Sequence, residues 1–199
     1  MRTRRRRMLW VVVVALAAVS GCGQSQPVAV SGTDGTTTAA AEAAPAEPAV
    51  DLEDAGAIVE ALAAAGLPVT VVKVYTEADD PNELLGRPGG YIAKSAFADS
   101  RVPADKTEGT DPDAVERGGS IEVYPDNASA RKRGQYIQTV TQEMQGWAGR
   151  EYDYVAGQVL LRVTASITPT DAKEYQATLA QLVGEDAVAV DAVDLHSPS

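Results

Sequence analysis

Ser129 and Lys132 stand three residues apart in a stretch of helical pattern, a Ser-x-x-Lys spacing that sets an ammonium one turn from a hydroxyl nucleophile and suits acyl transfer. Neither Ser-Asp-Asn nor Lys-Thr-Gly accompanies the pair, so it reads first as two polar residues in the opening turns of an exposed helix. The single histidine, His196, sits beside Ser197, Pro198 and Ser199 at the C-terminus, which leaves no histidine for a hydrolase triad or a histidine-rich metal site in the patterned part of the chain. Two acidic stretches carry enough oxygens to be weighed for calcium: Glu77, Asp79, Asp80, Asn82 and Glu83, and then Asp105, Glu108, Asp111, Asp113 and Glu116. Neither has the spacing of an EF-hand loop with its central glycine, and both read as capping and solvating acids. No metal site and no cofactor is expected. Arg87 remains, with a planar fork able to take a carboxylate or phosphate, or to order its own loop by satisfying carbonyls or pairing with Asp80.

The one position with a strong chemical signature is Cys22, the single cysteine. Arg2, Arg4, Arg5, Arg6 and Arg7 precede an unbroken apolar run over 9–19, followed by Ser20, Gly21 and Cys22. This is the pattern of an export signal. Eleven apolar residues rise only about 16 Å as a helix, too short to span a bilayer. Val19-Ser20-Gly21-Cys22 resembles the lipobox of bacterial lipoproteins. The resemblance implies cleavage between Gly21 and Cys22, a diacylglycerol thioether on the cysteine sulfur, and a membrane partner held through that anchor. With one cysteine no intramolecular disulfide forms, so the domain must hold by packing alone.

Charge narrows the partners. Five of the 17 Lys and Arg residues lie in the leading run, which leaves 12 against 28 acids in the remainder. Such a surface repels phosphate backbones, and the only compact basic run left, Arg131-Lys132-Arg133, reads as a solvated helix face; no nucleic acid is expected.

The chain divides into a signal peptide over 1–21, a lipidated cysteine and flexible linker over 22–50, a folded domain over 51–185 and an acidic tail over 186–199. The linker is Ala, Thr, Ser, Gly, Pro and Gln without an aromatic residue, and as a coil it reaches on the order of 30 Å. The domain, about 135 residues, is long enough to bury one core.

Periodicity orders the domain. A first helix over 51–65 is stopped by Gly66 and Pro68, and a valine-rich strand over 69–75 follows. Over 91–99, Tyr91, Ala93, Ser95 and Phe97 alternate with Ile92, Lys94, Ala96 and Ala98, which predicts the aromatics inward and Lys94 outward. A strand over 120–124 turns Ile121 and Val123 inward. A second helix over 126–145 is capped by Asp126 and carries Ala130, Ile137, Val140 and Met144 on one stripe. A hairpin with its turn at Ala156-Gly157 pairs Tyr154 with Val159, so that Tyr152, Tyr154, Val159, Leu161 and Val163 share the core face and Asp153, Leu160 and Arg162 the other. Asp153 on that reading tolerates replacement. A third helix starts at Thr168-Pro169 and buries Ala172, Tyr175, Leu179 and Leu182. The fold class is therefore α+β: an antiparallel sheet of about five strands covered on one face by helices. The alternating Ala and Val after Glu185 could add an edge strand, but their acids favour a tail.

The most distinctive stretch is Asp80-Pro81-Asn82-Glu83-Leu84-Leu85-Gly86-Arg87-Pro88-Gly89-Gly90-Tyr91, read as a short capped helix and a proline turn into a strand. With Lys94, Phe97 and Asp99 it resembles a motif of exported actinobacterial lipoproteins. Gly118 to Tyr124 and Tyr152 to Val155 continue the resemblance, which implies an address and names no reaction. Arg87 and Tyr91 are the candidate binding residues. The expected function is a membrane-tethered interaction or ligand-binding module facing the cell envelope, its partner an envelope protein or a small ligand. The alternative is a surface hydrolase using carboxylates or the Ser129 and Lys132 pair.

Overall fold

In the computed structural model, the described residues are 50–144 and 150–191. Gly21, Cys22, the linker over 23–49 and His196 lie outside them. Three helices and six strands follow in the order α1 (Ala55–Ala64), β1 (Val69–Val74), β2 (Ala93–Asp99), β3 (Gly118–Val123), α2 (Asn127–Glu143), β4 (Glu151–Ala156), β5 (Val159–Thr164), α3 (Pro169–Val183) and β6 (Val188–Ala189), with two single 3-10 turns, Ala104–Lys106 and Val115–Arg117, between β2 and β3. The strands form one antiparallel sheet in the order β1-β2-β3-β5-β4-β6, so the α+β architecture is as expected. Among the described residues no helix is long and apolar enough to cross a membrane.

The helices start where their caps dictate. Asp54 accepts from the Gly56 and Ala57 amides, Asp126 from Ser129, and Thr168 and Asp171 form a reciprocal capping box ahead of Pro169. Each satisfies amides that the first helical turn leaves without a carbonyl.

One face of the sheet is apolar. Val69, Phe97, Ile121, Tyr154, Leu161 and Val163 pack under Ile58, Val59 and Leu62 of α1 and Tyr175 and Leu179 of α3. Phe97 stacks on Tyr175 at 5.8 Å, and the Tyr175 hydroxyl donates to the buried Asp99, which also holds Arg101. Gly119 is required here for close approach, because a Cβ would run into the Phe97 ring and the Arg162 carbonyl.

The helices divide between the faces. α1 and α3 cover the apolar face, while α2 covers part of the opposite one, where Ala130 and Ile137 pack with Val155, Leu160 and Val190. Its buried stripe is Ala130, Gly134 and Ile137, and Met144 is exposed. The second face is thus interior too, which corrects two expectations. Lys94, expected outward, is only 5% exposed, and Asp153, expected to tolerate replacement, is only 2% exposed. Tyr91 precedes β2 and packs edge-on against Tyr124 in this second cluster, away from Phe97.

The hairpin keeps its faces but shifts its register. Gly157, at φ 51°, and Gln158 form the turn, so Ala156 pairs with Val159 and Tyr154 with Leu161. The turn moves by one residue, which changes each partner by two and leaves every side chain on its expected face. At the far edge Val188 and Ala189 pair with β4, and Val190 packs beneath α2, so the sheet extends past residue 185 as the edge strand.

Candidate functional site

The second face carries charge in a strand-by-strand alternation. Lys94 of β2 stands opposite Glu122 of β3, Ser120 of β3 opposite Arg162 of β5, and Arg162 opposite Asp153 of β4. Period-two alternation puts all of them on one side, and cross-strand pairing brings opposite signs together.

The segment between β1 and β2 closes over this face, organised by Asp80 rather than by a helix. One Asp80 oxygen accepts from the Leu84 and Leu85 amides at 2.8 and 3.1 Å, and the other from the Lys94 ammonium at 3.0 Å. The Tyr91 hydroxyl donates to both oxygens at 2.6 Å. A side-chain carboxylate thus claims the amides that a helix would have bonded to carbonyls, and Glu83 turns left-handed at φ 53°, so the expected short helix gives way to successive turns. Burial alone would raise the Asp80 carboxyl, but the Tyr91 hydroxyl, the Leu84 and Leu85 amides and Lys94 outweigh it and hold the group well below the usual carboxylate range. Burial and the bond to Asp80 push Tyr91 up, so its hydroxyl remains a donor.

Behind Lys94 lies a second ionic group. Glu122, fully buried, accepts from the Tyr124 hydroxyl at 2.8 Å and from Arg162 at 3.2 Å, with Arg133 of α2 at 3.5 Å. Arg162 also grips Glu151 through two nitrogens at 2.8 and 2.9 Å. The neighbouring Asp153 takes the Gln138 amide at 3.1 Å on one oxygen, while its other oxygen has no hydrogen-bond partner among the described residues. Burial, then the Glu151 charge, push its carboxyl up to about 8 against the opposing pull of Arg162 and Gln138.

Lys94, Ser120 and Arg162 line a cleft of about 410 Å³, together with Tyr75, Asp79, Pro81 and Asn82 from the segment after β1 and Asp111, Asp113 and Val115 from the segment before β3. Parts of the two acidic stretches meet here, but across a lysine: the Lys73 ammonium is 3.5 Å from both Asp79 and Asp113, and Tyr75 donates to Asp113 at 2.9 Å. Among the described residues no three of His, Cys, Asp and Glu come together as a metal site. Ser120, 2% exposed, lines the cleft, and its buried hydroxyl has no hydrogen-bond partner among the described residues.

Arg87 and Tyr91 are not brought together as a site. Tyr91 is wholly buried and engaged by Asp80, whereas Arg87 is exposed and its guanidinium makes no ion pair or hydrogen bond among the described residues. Lys94, rising from β2, holds the place beside Asp80 that was one of the roles weighed for Arg87. Arg87→Ala is accordingly expected to leave the melting temperature within about 2 °C of the parent, measured by thermal unfolding. No hydrogen bond joins Ser129 to Lys132 among the described residues, and Lys132 is exposed.

Sequence reasoning did not assemble Lys94, Ser120, Glu122, Asp153 and Arg162 as a group. The signal that could have brought them together is the sign alternation across paired strands, which shows only once the strand register is known. The chain matches no protein-family model, no curated protein and no solved structure, so the reading of this cleft rests on its geometry.

Proposed function

We propose that this protein is a lipid-anchored module on the outer face of the cell membrane whose folded domain binds a small polar ligand in the cleft above Lys94, Ser120 and Arg162. The observation that carries the binding reading is the buried, unpaired hydroxyl of Ser120, a residue that lines the cleft, since a buried hydroxyl ordinarily finds a partner. A ligand supplies that partner. The cleft has the size and the few convergent polar groups of a small-molecule site. The Ser129 and Lys132 pair, lacking a hydrogen bond, gives no support to a hydrolase.

Thermal-shift measurements on the full-length protein against a panel of anionic, cationic and neutral polar metabolites test the binding reading. Stabilisation by at least one compound, lost in Ser120→Ala, is the expected result; a panel with no Ser120-dependent compound overturns it.

The anchor is supported by Val19-Ser20-Gly21-Cys22 behind the basic and apolar runs. Mass spectrometry of membrane extracts is expected to find a mature chain beginning at a diacylglycerol-modified Cys22, and Cys22→Ser to leave the membrane fraction, because two acyl chains give stable anchoring. A mature chain beginning elsewhere, or a Cys22→Ser protein equally membrane-bound, overturns it.

A further inference from the structure

The cleft's floor and rim differ in charge and in hydrogen-bonding sense, and the difference selects a ligand chemistry. On the floor, Ser120 lies directly opposite Arg162, and Lys94 is two residues from Ala96, the other partner of Ser120. All three side chains share one face across adjacent strands, within reach of a single small molecule. The Lys94 ammonium has three N–H bonds and two oxygen partners, Asp80 and Tyr91. Arg162 has five N–H bonds, three of them taken by Glu151 and Glu122. With the unpaired Ser120 hydroxyl, the floor offers spare donors, so ligand atoms that reach it are acceptor oxygens.

Those oxygens need not be charged. Asp80, Glu122 and Glu151 match Lys94, Arg133 and Arg162 one for one, and burial of Asp153 beside Glu151 pushes its carboxyl up, so the floor carries no net positive charge. An anion entering this balanced floor gives up its hydration without meeting net positive charge. The rim is acidic, with Asp79, Asp111 and Asp113 against Lys73. Asp111 is exposed, and its carboxylate makes no ion pair among the described residues. The rim therefore repels anions and attracts an ammonium. The Tyr75 ring already takes the Lys73 and Lys94 ammonium groups, each 4.5 Å from its centroid, which leaves recognition to the polar groups rather than to ring stacking.

We propose that the cleft takes a small oxygen-rich amine, an amino sugar in the simplest case, with uncharged hydroxyl or amide oxygens on Ser120, Lys94 and Arg162 and its ammonium at Asp111 on the rim. This rests on the reading of the cleft as the ligand site.

Titration calorimetry of the full-length protein in detergent with glucosamine, glucose and glucose 6-phosphate tests the assignment. Glucosamine is expected to bind best, glucose about three- to fivefold more weakly for want of one exposed ion pair, and glucose 6-phosphate not at all. Asp111→Asn is expected to bring glucosamine down to the affinity of glucose. Ser120→Ala is expected to weaken both sugars while leaving the melting temperature equal or higher, since it removes a buried hydroxyl that has no partner. Glucose or glucose 6-phosphate binding as tightly as glucosamine, with Ser120 still required, overturns the amine assignment and keeps the cleft. Binding unaffected by Ser120→Ala overturns both. No binding by any of the three overturns the amino-sugar assignment, and the cleft then stands or falls on the metabolite panel.

Discussion

Asp80→Ala is expected to destabilise the domain by about 3–5 kcal/mol, the cost of stranding one member of a buried ion pair. The Lys94 ammonium, 3.0 Å from Asp80 and with only 6% of its side chain exposed, would lose its counterion. The Leu84 and Leu85 amides and the Tyr91 hydroxyl lose their acceptor at the same time, so the segment between β1 and β2 loses what replaces a helix there. For a domain of this size the melting temperature is expected to fall by roughly 10–15 °C. Asp80→Asn costs less, because an amide oxygen still accepts, and adding Lys94→Met to Asp80→Ala recovers a large part of the loss by removing the stranded charge. A melting temperature for Asp80→Ala within a degree or two of the parent would sink this account. The sign of the pH dependence follows from the depressed carboxyl: its stabilisation is complete above the unfolded value of about 4 and is lost as the pH falls into the acid range.

Asp153 works in the opposite direction. Its carboxyl is pushed up to about 8 in the folded domain, against about 4 when unfolded. Between those values the folded state keeps a proton that the unfolded state has released, so the contribution is fully present below about pH 4 and is lost as the pH rises through about 8. Asp153→Asn keeps an oxygen for Gln138, removes the titration and is expected to stabilise the domain by roughly 2 kcal/mol or more at pH 9, with little gain at pH 4. Thermal melts of both proteins from pH 4 to 9 check this. Parallel curves for parent and variant would show that Asp153 is not the group responsible.

The two predictions come from one face of one sheet, and that face separates what was legible from what was not. Caps and periods are local. Asp126 and Thr168-Pro169 mark helix starts because a side-chain oxygen reaches an amide two or three residues away, and the structure has both caps. The hairpin's faces survive a shift of its turn because alternation has period two. Lys94 and Asp153 were misplaced by the same alternation: a charged residue opposite an apolar one is assigned to solvent, and local pattern has no term for a second layer above it.

Local pattern was enough for the α+β class, the order of the principal elements, the apolar face that α1 and α3 cover, and the expectation of a lipid anchor at Cys22. It took packing to show that the charged face is interior, that Asp80 pairs with a lysine fourteen residues on rather than with Arg87, and that Ser120 lies opposite Arg162 on strands more than forty residues apart. The reason is the range of the forces. Helix and strand patterns are set by neighbours a few residues apart, whereas burying a charge is tolerable only if an opposite charge arrives from elsewhere in the chain, and that arrival is settled when distant segments pack.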